Sequence, residues 1–229
     1  LGGDDARRAE ALKRAAAEGP EQLADVALNA MAGHDGAIAL AAVNALGDLA
    51  RDYLDERRDL PTVWFATAAG LDRDPDFVSM TPDVLAALAR DRLWFEFKVL
   101  RQFQAVYQAA LGANREVCYI VATHTREIAE RAMTVGDDRV LGLCVKFFNT
   151  YLRATVNGRD VRTAYNVLHQ YRLLAEAALR RARGRAAVEI ARHFKYYGQL
   201  AFHIDLGFVL ETAAYDLCAL NEQIGRAHV

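Results

Sequence analysis

One stretch of the sequence, Val135–Asp160, decides how the chain folds: VGDDRVLGLCVKFFNTYLRATVNGRD. It begins and ends with clusters of Gly, Asp and Asn, which are residues that favour helix ends and turns. The segment between these clusters contains no proline and predicts a helix over about Asp138–Thr155. Because the two breaks are short, this helix must run antiparallel to both of its neighbours.

The same pattern extends along the whole chain. No proline follows Pro82, and Ala, Leu, Arg and Glu, all good helix formers, dominate the sequence. We therefore predict an all-α protein of about eight or nine helices. The predicted helices are about Asp4–Ala17, Pro20–Met31, Ala37–Glu56, Thr81–Leu111, Arg115–Val135, Asp138–Thr155, Asp160–Arg181, Arg185–Ile204 and Leu206–Ile224.

Two arrangements of these helices fit the sequence: an irregular antiparallel multi-helix bundle and a short α-solenoid. Consecutive helices of the second half start roughly 20 to 25 residues apart, and a helix pair of roughly 46 residues is typical of HEAT-like arrays. No repeated residue signature identifies a repeat family. The sequence therefore slightly favours the bundle.

The domain organisation is predicted from one irregular region. Residues 1–60 form an N-terminal helical segment, 61–80 an irregular connection, and 81–229 a main helical bundle with one continuous core. The connection could hold a short strand or hairpin, or it could pack Trp64 and Phe65 onto the helices. A loop of this length inside a domain is often functional.

Composition excludes several classes of protein. The chain is 53% hydrophobic and 25% charged, with a formal net charge of −2, so it has no overall field that attracts nucleic acid or anionic lipid. It contains no apolar run long enough to span a bilayer. The scattered cysteines Cys118, Cys144 and Cys218 predict buried, reduced thiols. We expect a cytoplasmic chain without a nucleic-acid partner, or the cytoplasmic part of a membrane protein.

Catalytic and metal motifs are absent from the sequence. Glu189 and His193 are the nearest approach to a di-iron motif, but the matching second motif is missing. His34 and Asp35 resemble turn and capping residues more than metal ligands. The sequence has no zinc-ligand spacing, no glycine-rich phosphate loop and only one serine, Ser79. We therefore expect no metal and no cofactor, and we assign no catalytic residue.

The last three predicted helices carry the densest set of polar and aromatic residues. In the first of them, Arg162, Tyr165 and His169 fall on one face. If the faces of the three helices meet, they can form a buried hydrogen-bond network, an interaction surface or a ligand pocket. The candidate residues are Arg162, Tyr165, His169, His193, Tyr196, Tyr197, His203 and Tyr215.

A second candidate is a compact basic turn, RRARGR. It could contact phosphate, RNA or an anionic membrane surface. Alternatively, it is a solvated turn whose cations complement a helix C-terminus. The basic residues are Arg180, Arg181, Arg183 and Arg185.

One segment, Ala24–Leu54, resembles the soluble region of a family of predicted bacterial membrane proteins of unknown function. The matching residues are Ala24–Leu28, then Leu46, Leu49 and the basic stretch that follows. The chain departs from the family at GHDGA, where the family has a proline-containing loop. The resemblance implies the water-soluble part of a membrane-anchored protein, and it brings no known active site.

These observations predict a non-enzymatic helical domain with an interaction or regulatory role. Its partner would be another protein or a second copy of the chain, and any membrane contact would come through a segment outside it. The alternative is a helical domain that binds or converts a small molecule in the region of His169, His193 and Tyr197.

Overall fold

A computed structural model of the chain describes residues 2–56, 98–181, 187–188, 190–192 and 222. Within these ranges every residue lies in a helix or in a short turn between helices, and none lies in a strand. The prediction of an all-α fold is therefore confirmed. The predicted connection at 61–80 and the predicted helix start at Thr81 lie outside the described residues.

The helices begin and end close to the positions that the turn residues predict. Residues 98–100 form a π-helical turn directly before α4. Residues 187–188, 190–192 and 222 are also helical, inside the predicted eighth and ninth helices. The seven continuous helices are α1 (Gly2–Glu18), α2 (Pro20–Ala32), α3 (Gly36–Glu56), α4 (Arg101–Ala110), α5 (Arg115–Val135), α6 (Asp138–Asn157) and α7 (Val161–Arg180).

The turns show why the helices end where they do. Between α2 and α3, His34 adopts a left-handed φ of 60°, and Asp35 accepts a hydrogen bond from the Ile38 N–H at 3.2 Å. His34 and Asp35 are therefore turn and capping residues, as predicted. Gly136 ends α5 with a φ of 78°, a left-handed conformation that glycine adopts without steric cost.

The odd-numbered helices form one layer. α1 contacts α3, α3 contacts α5, and α5 contacts α7. Cross-helix pairs advance in the same direction along both members of α3–α5 and of α5–α7, so these neighbours run parallel. The pairs are Asn44–His124, Arg51–Glu127 and Asp55–Arg131, then Arg115–Asp160 and Arg126–Gln170.

The even-numbered helices form the second layer, in which α2 contacts α4 and α4 contacts α6. Each helix is antiparallel to the next one in sequence, because the turns between them are short. The described helices therefore follow the α-solenoid arrangement, in which each antiparallel pair packs on the pair before it. The slight preference of the sequence for a bundle reflects the missing repeat signature, since pattern alone does not say which hairpins stack.

One cluster of buried residues extends through both layers, from Ala15 in α1 to Ile190. Aromatic rings lie at its centre: Tyr107 stacks on Tyr151 with centroids 4.5 Å apart, and Phe148 contacts Tyr171 at 5.2 Å. Burial of each large apolar side chain stabilises the folded chain by about 1.5–3 kcal/mol relative to an exposed side chain. Within the described helices, none is long and apolar enough to cross a bilayer.

Candidate functional site

The residues predicted on α7 lie on its accessible side. Arg162 is exposed, Tyr165 is 37% exposed, and His169 is half-buried. The rings of Tyr165 and His169 stack with centroids 6.4 Å apart and planes 11° apart. These two residues are therefore brought together, one turn apart on the same helix. The other predicted residues, His193, Tyr196, Tyr197, His203 and Tyr215, lie outside the described part of the chain, so their convergence stays a prediction.

Two of the four arginines in the predicted basic turn are described, and both pair locally. Arg180 lies 3.8 Å from a carboxylate oxygen of Glu176. Arg181 donates a hydrogen bond to the carbonyl of Ala177 at the end of α7 and lies 3.9 Å from Glu130 of α5. These contacts place cations where the C-terminal carbonyls of the helix carry partial negative charge. Arg183 and Arg185 lie outside the described residues.

The structure shows a polar cluster that the sequence analysis did not identify. It consists of Asn44 and Arg51 from α3 and His124 and Glu127 from α5, and we call it the His124 cluster. The His124 side chain is only 7% exposed. Its Nε2 lies 2.8 Å from Oδ1 of Asn44, and its Nδ1 lies 3.0 Å from Nη1 of Arg51 and 3.1 Å from Oε2 of Glu127.

Gly47 and Phe103 hold the His124 ring in place. The ring packs directly on the backbone of Gly47 in α3, where a Cβ atom would lie only 2.7 Å from Cε1 of the ring. Phe103 of α4 stacks against the ring with its plane within 4° and its centroid 6.2 Å away. The imidazole is therefore fixed between three helices, with its two nitrogens directed at polar partners.

The hydrogen bonds determine where the imidazole protons lie. An amide oxygen only accepts, so Nε2 of His124 donates to Asn44. The hydrogen bond that a protonated His124 donates from Nδ1 lowers the pKa of Glu127, partial burial opposes this, and the charge of Arg51 reinforces it. Glu127 is therefore an anion at neutral pH, held between the Arg51 guanidinium and the His124 ring.

Further ion pairs extend the cluster across the odd layer. Arg51 also binds Asp48 on its own helix, and Arg131 of α5 binds Asp55 of α3. Towards α7, Arg126 donates to Gln170 at 2.8 Å. Polar side chains therefore link α3 to α5 and α5 to α7. Exposed pairs contribute little stability each, but they restrict which faces can meet.

A second polar group, deeper in the core, consists of hydroxyls. Tyr107 of α4 bonds to Thr155 of α6, and Tyr151 of α6 bonds to Thr125 of α5 at 3.3 Å. Each threonine donates its own proton to a backbone carbonyl one turn earlier, so the tyrosines are the donors. Burial raises the pKa values of Tyr107 and Tyr151 far above their usual range. The four hydroxyl groups are therefore hydrogen-bonded in the core, and the tyrosines stay in the protonated form, which is a poor nucleophile.

The described cysteines also lie in surroundings that do not favour a nucleophilic thiolate. Cys118 and Cys144 are free and buried. Burial raises the pKa of Cys118 to about 12, and it raises the pKa of Cys144 even further. Because the thiolate is the nucleophile, burial and a raised pKa both disfavour reaction at these thiols. Cys218 lies outside the described residues.

The most accessible aromatic residues lie on the odd layer. In the described part of the chain, the exposed large hydrophobic side chains are Tyr119 and Tyr165. Tyr119 is the fifth residue of α5 and Tyr165 the fifth of α7. Because α5 and α7 are parallel and in register, with Arg115 beside Asp160, the two tyrosines lie at the same level.

Metal binding finds no support in the described residues: none of their His, Cys, Asp and Glu side chains form a group of three or more that could hold an ion. The His124 cluster has only one imidazole and one carboxylate close together, and Arg51 already occupies the space between them. The cluster can therefore hold two helices together, but its donor set does not suit a metal.

Comparisons with known proteins find no protein-family model and no curated protein that matches the chain. A solved structure, a circular tandem repeat protein with novel repeat topology and enhanced subunit contact surfaces, overlaps it at 15% sequence identity and a TM-score of 0.32. The overlap covers 90% of this chain and 51% of that one, so the chain spans about half its length. A likeness at this level shows neither fold nor function.

Proposed function

We propose that this domain binds a protein partner through the outer face of the odd layer, which is the accessible side of α5 and α7. The observation that carries the proposal is the placement of Tyr119 and Tyr165, which are 38% and 37% exposed at equivalent positions of two parallel helices. In the described part of the chain, the other large hydrophobic side chains are less exposed than these two. Tyrosine is enriched at the centres of protein interfaces.

The surroundings of the two tyrosines support the same function. Arg115 precedes Tyr119 by one turn, and Arg162 precedes Tyr165, and both arginines are exposed. Arginine beside tyrosine is typical of the residues that dominate binding energy. A tyrosine also loses little conformational entropy on binding, since it has only two rotatable side-chain bonds. The face therefore offers rigid aromatic contacts flanked by cations.

Site-specific photo-cross-linking tests this proposal. A photoreactive phenylalanine analogue replaces Tyr119 or Tyr165 in the full chain, and a matched control replaces Gln108, which is exposed on α4 in the even layer. We expect both odd-layer positions to give an adduct with the same protein, or a dimer of this chain, and the control to give none. Identical adducts from all three positions, or none from the two tyrosine positions, would contradict the proposal.

The membrane association that the resemblance implies is part of the same proposal. It rests on Ala24–Leu54, which forms most of the α2–α3 hairpin and its turn. Fractionation of cells that express the complete reading frame tests it. We expect the protein in the membrane pellet, resistant to high salt; recovery in the soluble fraction would contradict it.

A further inference from the structure

We propose that His124 is a proton-sensitive switch in the contact between α3 and α5. This contact and the one between α2 and α4 join α1–α3 to the helices after residue 97. His124 lies in the middle of the α3–α5 contact, nearly buried, with its ring between Gly47 and Phe103. A change in the hydrogen bonds of His124 therefore acts where α1–α3 contact the described helices after residue 97.

The geometry at Nδ1 defines two exclusive states. Nη1 of Arg51 lies 3.0 Å from this nitrogen and can only donate, whereas Oε2 of Glu127 lies 3.1 Å from it and can only accept. A neutral ring with its proton on Nε2 accepts from Arg51 at Nδ1. A protonated ring donates from Nδ1 to Glu127, and two donors and two positive charges then face each other at Arg51.

The change of state exchanges one bond between helices for one bond within a helix, and the ion pair between Arg51 of α3 and Glu127 of α5 remains in both states. In the neutral state Arg51 of α3 reaches across to His124 of α5. In the protonated state Arg51 withdraws from the ring but keeps its ion pairs with Glu127 of α5 and with Asp48 of α3. His124 then binds Glu127, three residues later on α5. The ring keeps its hydrogen bond to Asn44 and its packing on Gly47, so protonation removes one of several bonds between α3 and α5.

The charged groups around the ring leave both states accessible. α3 brings Arg51, with Asp48 bound to it, and α5 brings Glu127, with Arg126 at 3.7 Å from its second oxygen. α4 brings the uncharged ring of Phe103. The Arg51 and Glu127 side chains are both about one-third exposed, so protons can reach Nδ1 from solvent. Histidine is the side chain whose charge changes near neutral pH.

Nitrogen NMR of the full chain over the range from about pH 8 to about pH 5 tests the switch. We expect the neutral His124 ring to carry its proton on Nε2. As Nδ1 gains a proton, the Arg51 Nε–H signal shifts with the same midpoint, and the protection of α3 backbone amides against hydrogen exchange falls several-fold. A neutral ring protonated on Nδ1, or an Arg51 signal and α3 protection that stay constant while the ring titrates, would overturn the proposal.

A pair of variants separates the switch from a general effect of charge. Glu127→Gln removes the anion that accepts from the protonated ring, and we expect the proton affinity of His124 to fall about tenfold. Glu116→Gln removes an exposed carboxylate near the start of the same helix and should leave that affinity unchanged. Equal effects of the two substitutions would refute the role of Glu127. The wild-type titration decides the proposal even if one variant does not fold.

Discussion

At the scale of single residues, the position of His124 depends on the absence of a side chain at residue 47. The imidazole fills the space that a Cβ would take, so α3 and α5 approach closely only because residue 47 is glycine. In most helix interiors glycine is a cost, because it increases the backbone entropy of the unfolded chain. Here that cost is offset by the contact it permits.

This close approach predicts opposite effects for two glycine-to-alanine substitutions. Gly47→Ala forces the His124 ring out of its position and should lower the free energy of unfolding by about 1–3 kcal/mol. Gly142→Ala, inside α6 with no atom within 4 Å of the new Cβ, should raise it by about 0.5–1 kcal/mol. Urea unfolding of both variants measures the difference. Equal effects would show that the ring does not lie on Gly47.

The buried thiols give a second prediction at this scale. Because burial raises the pKa of Cys118 to about 12 and that of Cys144 further, both should resist a maleimide at neutral pH. They should react once urea unfolds the chain. Mass spectrometry of the individual peptides follows each cysteine separately. Rapid labelling of Cys118 in the native protein would contradict the packing of α4 on α5.

The His124 cluster could have been predicted only in part from the sequence. His124 falls on the apolar side of its helix with Val117, Val121 and Ile128, and Asn44 interrupts an apolar run in α3. A polar residue in such a position needs a buried partner. The sequence does not say which partner, because Asn44 and His124 are 80 positions apart.

At the scale of the element, capping side chains define where the helices start. Asn114 begins α5 by accepting from the Val117 N–H, and Asp160 begins α7 by accepting from the Thr163 N–H, each at 3.2 Å. These bonds satisfy backbone groups that the first turn of a helix leaves open. Such local signals explain why the helix boundaries were predictable.

Substitutions of Asp160 can test its capping hydrogen bond separately from its negative charge. Burial raises the pKa of Asp160, but the hydrogen bonds from Thr163 and the charge of Arg115 outweigh burial and hold the pKa below its usual range. Asp160→Ala removes both the capping hydrogen bond and the negative charge, and it should lower the unfolding free energy by about 1–2 kcal/mol. Asp160→Asn keeps the cap and should cost less. Thermal unfolding of the two variants gives the comparison, and equal losses would argue against a capping role.

At the scale of the whole molecule, the odd and even layers follow from the order of the helices. Short turns make consecutive helices antiparallel, so alternate helices become parallel neighbours. The sequence predicted the helices and both candidate arrangements. It could not decide between them, because the choice depends on contacts such as Arg51–Glu127, between residues 76 positions apart. The polar and aromatic residues that the sequence predicted as a site all belong to the last three predicted helices. The His124 cluster instead joins α3 and α5, whose residues are far apart in the sequence.

The acid sensitivity of the whole fold follows from Glu127. Its pKa is lowered in the folded chain, so its contribution to stability is complete above the ordinary glutamate value of about 4 and is lost as the pH falls through the lower folded value. We therefore expect the unfolding free energy of the wild type to fall more steeply below about pH 4 than that of Glu127→Gln. Denaturant titrations at several pH values test this. Parallel curves would show that Glu127 is unpaired.

The most direct test of the central claim, that His124 joins α3 to α5 through Asn44, is a double-mutant cycle on these two residues. Unfolding free energies of Asn44→Ala, His124→Ala and the double variant should give a coupling energy of about 1 kcal/mol or more, as expected for a buried hydrogen-bonded pair. The matched pair Asn44 and Thr134, the latter exposed on α5, should be additive within about 0.5 kcal/mol. If Asn44 and His124 are equally additive, they do not form the bond that joins α3 to α5.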